Sequence, residues 1–157
     1  SCIEYFTYWT PRDPVWNFHN APIDSAGNRS PVYQMVRALN REIQSYAGAF
    51  AGAKVASIGH TGPSIPKGTR PFVPFAPVRN LTTGGKGAVV SHMENGGATY
   101  LVVVNRDYRN EMPLTVAFDR DAKIKRIGKN GGKISIKAGA VTGSVPPGDM
   151  VVFRVGK

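Results

Sequence analysis

The sequence predicts a mainly β protein: an antiparallel β-sandwich over residues 54–157, preceded by one strand-loop-helix unit of the parallel α/β kind over residues 1–53. Three observations predict it. The stretch Tyr5-Phe6-Thr7-Tyr8-Trp9-Thr10-Pro11 is rich in aromatic and β-branched residues, and it closes on a proline that cannot donate to a central ladder. A polar loop and the best helix pattern in the chain follow it, the order of half a β-α-β unit. From Lys54 onward helical periodicity gives way to short β patterns, joined into hairpins by the tight-turn signals Asn95-Gly96-Gly97 and Asn130-Gly131-Gly132.

Charge divides at the same place. Four Arg balance four acids in residues 1–53, so residues 54–157, with sixteen Lys and Arg against six acids, carry the whole net charge of +10. A composition of 41% hydrophobic and 19% charged residues fits a globular chain, and 18 Gly with 12 Pro fit one rich in turns. No apolar run approaches the roughly 20 residues of a membrane-spanning helix. The single cysteine, Cys2, excludes an internal disulfide framework and a cysteine-based zinc site.

The first expected strand covers residues 3–9. Both of its faces are apolar apart from Glu4, as in a strand covered on both sides. Residues 10–29 then form a loop far longer than the roughly 2–6 residues usual for such a connection, and loops of that length tend to be functional. Within it, Asp24-Ser25-Ala26-Gly27-Asn28 is a turn by composition. Ser30-Pro31 is a helix start, with the Ser hydroxyl placed to accept from an orphan amide and Pro at the first helical position. Val32, Met35, Val36, Leu39, Ile43, Tyr46, Ala47 and Phe50 recur at three and four, predicting a helix over 31–50 that stops at Gly52. Residues 54–59 read as a strand. The Pro- and Gly-rich segment 60–77 should run irregularly, anchored by Ile65, Phe72, Val73 and Phe75. Further strands are expected at 78–81, 88–94, 99–105, 114–118, 122–127, 133–136 and 149–155. Short strands at such spacing suggest a sandwich or barrel.

The first 50 residues resemble the last strand, loop and helix of the catalytic (β/α)8 barrel of glycoside hydrolases, in the large retaining superfamily that includes β-galactosidases. The resemblance is carried by Tyr8-Trp9-Thr10-Pro11 at the strand end, Trp16-Asn17-Phe18, Ala21-Pro22-Ile23-Asp24 with Gly27, and the helix opening Ser30-Pro31-Val32-Tyr33. The tail Val145-Pro146-Pro147-Gly148-Asp149-Met150 looks like the C-terminal β-sandwich of many such enzymes. The resemblance implies a C-terminal fragment of a larger enzyme, secreted or periplasmic, whose partners are the rest of the barrel and a carbohydrate. It implies no cofactor. It places Trp9 at the floor of the sugar site, with Tyr8, Arg12, Asp13, Trp16, His19 and Asn20 lining it. The catalytic carboxyl pair of that superfamily belongs to the fourth and seventh strands, which have no counterpart here, so this chain alone is not expected to hydrolyse glycosides.

Active sites of β/α barrels form at the C-terminal ends of the strands, where Trp9 falls. An indole offers a broad apolar face and an N–H to a sugar. A large core residue is the competing reading. Strict alternation also sets Trp9 on the face opposite Glu4, so either a bulge near Thr7 intervenes or Glu4 faces the axis and Trp9 does not.

Two other functional classes compete. A stand-alone carbohydrate-binding sandwich would need exposed aromatics, chiefly Tyr100, Tyr108 and Phe118. A basic polyanion-binding domain would use Lys123, Lys125, Arg126, Lys129, Lys133 and Lys137, which cluster on one expected hairpin whose isoleucines 124, 127, 134 and 136 face the core. That hairpin has no aromatics for stacking bases, which argues against nucleic acid. His19, His60 and His92 are too scattered to suggest a metal site.

Overall fold

The computed structural model describes residues 4–12, 15 and 19–156. The chain divides into two compact units, Ser1–Ala47 and Gly48–Lys157.

The second unit is mainly β. Its strands are β1 (Lys54–His60), β2 (Val78–Thr82), β3 (Ala88–Asn95), β4 (Ala98–Asn105), β5 (Met112–Phe118), β6 (Lys123–Ile127), β7 (Lys133–Ile136), β8 (Ala140–Val145) and β9 (Met150–Gly156). They form a six-stranded sheet in the order β1-β3-β4-β9-β6-β7 and a three-stranded sheet β2-β5-β8, with antiparallel pairing throughout. The Asn95-Gly96-Gly97 and Asn130-Gly131-Gly132 turns join β3 to β4 and β6 to β7, as their residues dictate.

One apolar core lies between the inner faces of the two sheets. On β4, Leu101 and Val103 share a face with their ladder partners Phe153 and Val151 on β9, and Val103 also opposes Val90 on β3. Met112, Leu114, Val116 and Phe118 of β5 join them from the small sheet. The Phe118 and Phe153 rings meet edge to face, with centroids 5.8 Å apart. Each such side chain contributes about 1.5–3 kcal/mol on leaving water. Tyr100 and Val102, on the other face of β4, are buried as well. That is why this strand reads as an unbroken apolar run rather than an alternating one.

Two side-chain amides organise the loops around this core. Asn105 is buried, and its Nδ2 donates to the carbonyls of Asn110, Val145 and Pro146 while its Oδ1 accepts from the Asp107 amide. It ties the β4–β5 loop to the β8–β9 turn. Asn95 Nδ2 donates to the Gly48, Ala49 and Ala51 carbonyls, capping the end of the short helix α2 (Ala47–Phe50). Gly52 follows at φ 75°, the left-handed stop its position called for.

The segment between β1 and β2 closes over one edge of the large sheet. His60 and Pro71 form a parallel bridge, and Phe72 and Phe75 pack against the core. Phe75 stacks flat on His92, with ring centroids 3.7 Å apart. Burial pushes the His92 imidazole below its ordinary pKa, and the nearby Glu94 carboxylate opposes that more weakly. Val73, expected as an anchor, is 71% exposed: its neighbours Phe72 and Phe75 take the core positions instead.

Other expectations also need correction. β8 was not foreseen, because Gly143 interrupts it and only Val145 of its six residues is fully buried. Ile134, on the outermost strand β7, is 65% exposed; its ladder partner is the exposed Arg126 of β6, beyond the reach of the core. Ile124 is buried in the core as expected, whereas Ile127, expected beside it, is buried on the opposite face of β6 with Lys123 and Lys125, because an odd spacing along a strand reverses the face.

In the first unit, α1 covers Pro31–Ser45, with a break at Tyr46 before α2. Ser30 does not cap it through its side chain. Its hydroxyl donates to the Ala21 carbonyl at 2.6 Å instead, committing the group to the preceding loop. The strand expected over residues 3–9 is not formed by the described residues 4–9, which make a single isolated bridge at Trp9. A lone extended segment gains no ladder hydrogen bonds to offset its ordering entropy. Bends at Phe6 and Tyr8 break the pleat, so the alternation that opposed Glu4 to Trp9 does not operate.

The packing of Gly59 gives a direct check on this architecture. A Cβ there would lie 2.4 Å from the Phe72 Cα, a backbone atom that cannot swing away. Gly59→Ala should lower stability by about 1–3 kcal/mol in urea unfolding, with an unchanged urea dependence. A substitution at exposed Gly143, where nothing lies within 4 Å, serves as the control.

Candidate functional site

The candidate site is built on one backbone pairing. The Ile23 amide donates to the Tyr8 carbonyl and the Thr10 amide to the Ile23 carbonyl, both at 2.9 Å, so Ile23 grips the backbone on either side of Trp9. Ile23 also bridges Arg29. The aromatic segment has a further tie to α1, where the Tyr5 hydroxyl donates to Asn40 Oδ1 at 2.6 Å.

Asp24 explains why the chain can return to Trp9. Its Oδ1 accepts from the backbone amides of Ala26 and Asn28 at 2.9 and 2.8 Å, and Oδ2 accepts from the Asn28 side-chain Nδ2 at 3.4 Å. The Asp24 amide donates to the Asn28 carbonyl, and Gly27 takes φ 87° at the tip. The Asn28 backbone bond leads in holding the Asp24 carboxyl below its ordinary pKa. This carboxylate is consumed by turn construction. Its signal in the sequence was the turn composition itself; its service to Trp9 through Ile23 had none.

Trp9 is 48% exposed and Tyr8 56%, so neither is a core residue of this chain. Phe6 is 91% exposed and Tyr5 38%, which makes the flank almost wholly aromatic. Arg12, His19 and Asn20 are exposed, and Asn20 sits in the left-handed region at φ 64°. Asp13 and Trp16 lie outside the described residues. Among the described residues, the backbone pairing brings Tyr8 and Trp9 together beside Ile23. No hydrogen bond or ring contact joins them to Arg12, His19 or Asn20.

The helix beside this flank is equally open. α1 is amphipathic, yet none of its residues is buried, and Met35 and Leu39 of its apolar stripe are 69% and 49% exposed. An apolar stripe of that kind normally stabilises a helix by packing against something.

The second unit offers less for a sugar. Tyr100 and Phe118 are buried at 5% and 3% exposure, which leaves Tyr108, 73% exposed with the Arg109 guanidinium 5.0 Å from its ring centroid. Tyr108 borders a shallow crevice of about 470 Å³ with Gly87, Arg106 and Asp107. Arg106 lies across Gly87, donates to the Ser64 carbonyl at 2.8 Å and leaves a buried Nε without a partner. Asp107 is held below its ordinary pKa by Asn110, with the Arg109 and Asn110 amides adding to it. These groups fasten loops together. Among the described residues no cluster of three or more His, Cys, Asp or Glu could hold a metal ion, and no helix is long and apolar enough to cross a membrane.

Comparison with protein-family models, with curated proteins and with solved structures finds no match.

The Asp24 turn can be tested by NMR. Asp24 should titrate below the ordinary aspartate range, because backbone bonds led by that of Asn28 favour its charged form. Its bonds favour the charged form, so their stabilisation is full above the unfolded pKa and lost as pH falls through the folded one. In Asp24→Ala the Ala26 and Asn28 amides should exchange roughly tenfold faster, as loss of their acceptor requires. The Thr10 amide should follow, since its acceptor is Ile23.

Proposed function

We propose that this chain is the C-terminal part of a carbohydrate-active glycoside hydrolase. Residues 1–53 would supply the last strand, loop and helix of its β/α barrel, and residues 54–157 an accessory β-sandwich that packs on the barrel and stabilises it. The chain contributes sugar contacts and no catalytic carboxylate.

The observation that carries this reading is the open aromatic flank. Tyr5, Phe6, Tyr8 and Trp9 are exposed on a segment with strand composition and, among the described residues, no ladder, beside a helix none of whose residues is buried. Contiguous exposed apolar surface marks an interaction site. Neighbouring strands of a barrel would supply a ladder and the missing cover. With those in place, Trp9 at the strand end would present its indole to a sugar ring, and Tyr8, Arg12, Asp13, Trp16, His19 and Asn20 would approach from the loop. The stand-alone binding module is the weaker reading, because two of its three candidate aromatics are buried.

The test uses the full-length parent enzyme. Trp9→Ala should reduce kcat/KM on aryl glycosides at least about 30-fold, the loss expected for an indole face that covers a sugar ring. Trp9→Phe should recover part of it. Unchanged activity in Trp9→Ala would remove this residue from the sugar site.

A further inference from the structure

The six carboxylates of residues 54–157 are all engaged or placed away from one face of the large sheet. Glu94 faces His92, and Asp107 holds the Arg109 and Asn110 amides. Glu111 accepts from the Ser144 hydroxyl, and Asp119 pairs with Arg79 at 2.5 Å. Asp121 also acts on Arg79, and Asp149 pairs with Lys129 at 2.6 Å.

On the outer face of β9-β6-β7 the charges are all of one sign. Lys125 lies directly opposite Arg154 on β9 and Ser135 on β7. Lys123 and Lys133 lie on the same side by alternation, Lys133 as the partner of Ile127. All four cations are exposed, and among the described residues none has an ion-pair partner. Like charges directly opposed in a ladder destabilise it. The sheet geometry sets these cations in a grid with spacings of about 5–7 Å.

We propose that this face binds an anionic polysaccharide, sulfated or carboxylated, a choice of polymer that rests on the carbohydrate reading above. Such a chain offers repeated anions to a flat grid of cations and needs no groove. Nucleic acid fits less well. Three of the four cations are lysines, point charges without the planar fork of arginine. Tyr100, on the same side opposite Arg154, is 5% exposed and cannot stack a base. β6 is hydrogen-bonded on both sides, so the hairpin is no free ribbon for a groove about 12 Å wide. An anionic membrane fits less well too. Ile127 on this face is buried, and the exposed Ile134 points to the other side with Arg126, so no large apolar side chain is offered for insertion.

The experiment measures binding of the whole chain to heparin, to duplex DNA and to phosphatidylserine vesicles at two salt concentrations. Heparin should bind most tightly, and more weakly at the higher salt. Lys123→Gln/Lys125→Gln/Lys133→Gln/Arg154→Gln should weaken heparin binding at least about 30-fold. Neutralising four exposed cations elsewhere (Lys54, Lys67, Lys86 and Arg120) should weaken it less than threefold. If the quadruple variant does not fold, Lys125→Gln/Lys133→Gln should still lose about fivefold. Equal losses in the two variant sets, or tighter binding of DNA or vesicles than of heparin, would overturn the proposal. Neither result touches the activity of Trp9→Ala in the parent enzyme, so the two readings fail separately.

Discussion

A β-strand exists only as a member of a ladder, and the two units stand on opposite sides of that constraint. In Gly48–Lys157 every strand has a partner, and the central ones have two. The ladders pair the backbone polar groups of the central strands, and the core between the sheets follows from alternation. In residues 4–12 the composition asks for a strand just as strongly, yet among the described residues the pairing there is the isolated bridge of Trp9 to Ile23. The result is a bent, aromatic, solvent-facing segment fixed at Trp9 and by the Tyr5–Asn40 bond.

The functional reading depends on the same contrast. Aromatic residues at a strand end are useful to a sugar only if the strand is held still. Here the hold on Trp9 comes from a chain of local devices: Asp24 closes a turn, the turn presents Ile23, and Ile23 grips the backbone at Tyr8 and Thr10. An exposed carboxylate thus acts at a distance of several residues without touching the indole. The basic face of the large sheet belongs to the other unit and owes nothing to this arrangement. It arises because the cations at outer positions of β6, β7 and β9 are exposed while every acid of residues 54–157 is placed elsewhere.

Legibility in the sequence followed the same physics. The hairpins were readable because Asn-Gly-Gly forces a tight turn between apolar runs, and β4 because Tyr100–Val104 is apolar on both faces. β8 was hidden by Gly143 and by the exposure of its middle residues; it is held by its ladder to β5, which no local pattern announces. The start of α1 was readable from Ser30-Pro31, but the use of the Ser30 hydroxyl was not, since its acceptor at Ala21 lies nine residues back. The strand over residues 3–9 was read from composition that is real, and its absence from residues 4–9 reflects partners that composition cannot supply. Of the site, Trp9 and the Asp24 turn were legible separately; their connection through Ile23 was not.

Hydrogen exchange across the intact chain tests the central contrast most directly. The amides of Leu101, Val102 and Val103, paired on both sides in β4, should exchange only by global unfolding. That of Thr7 should exchange close to the rate of an unstructured peptide, and Thr10, bonded to Ile23, should lie between. Protection at Thr7 equal to that at Val102 would mean that the aromatic segment is already a fully partnered strand, and would contradict the division of the chain into a laddered unit and an unladdered one.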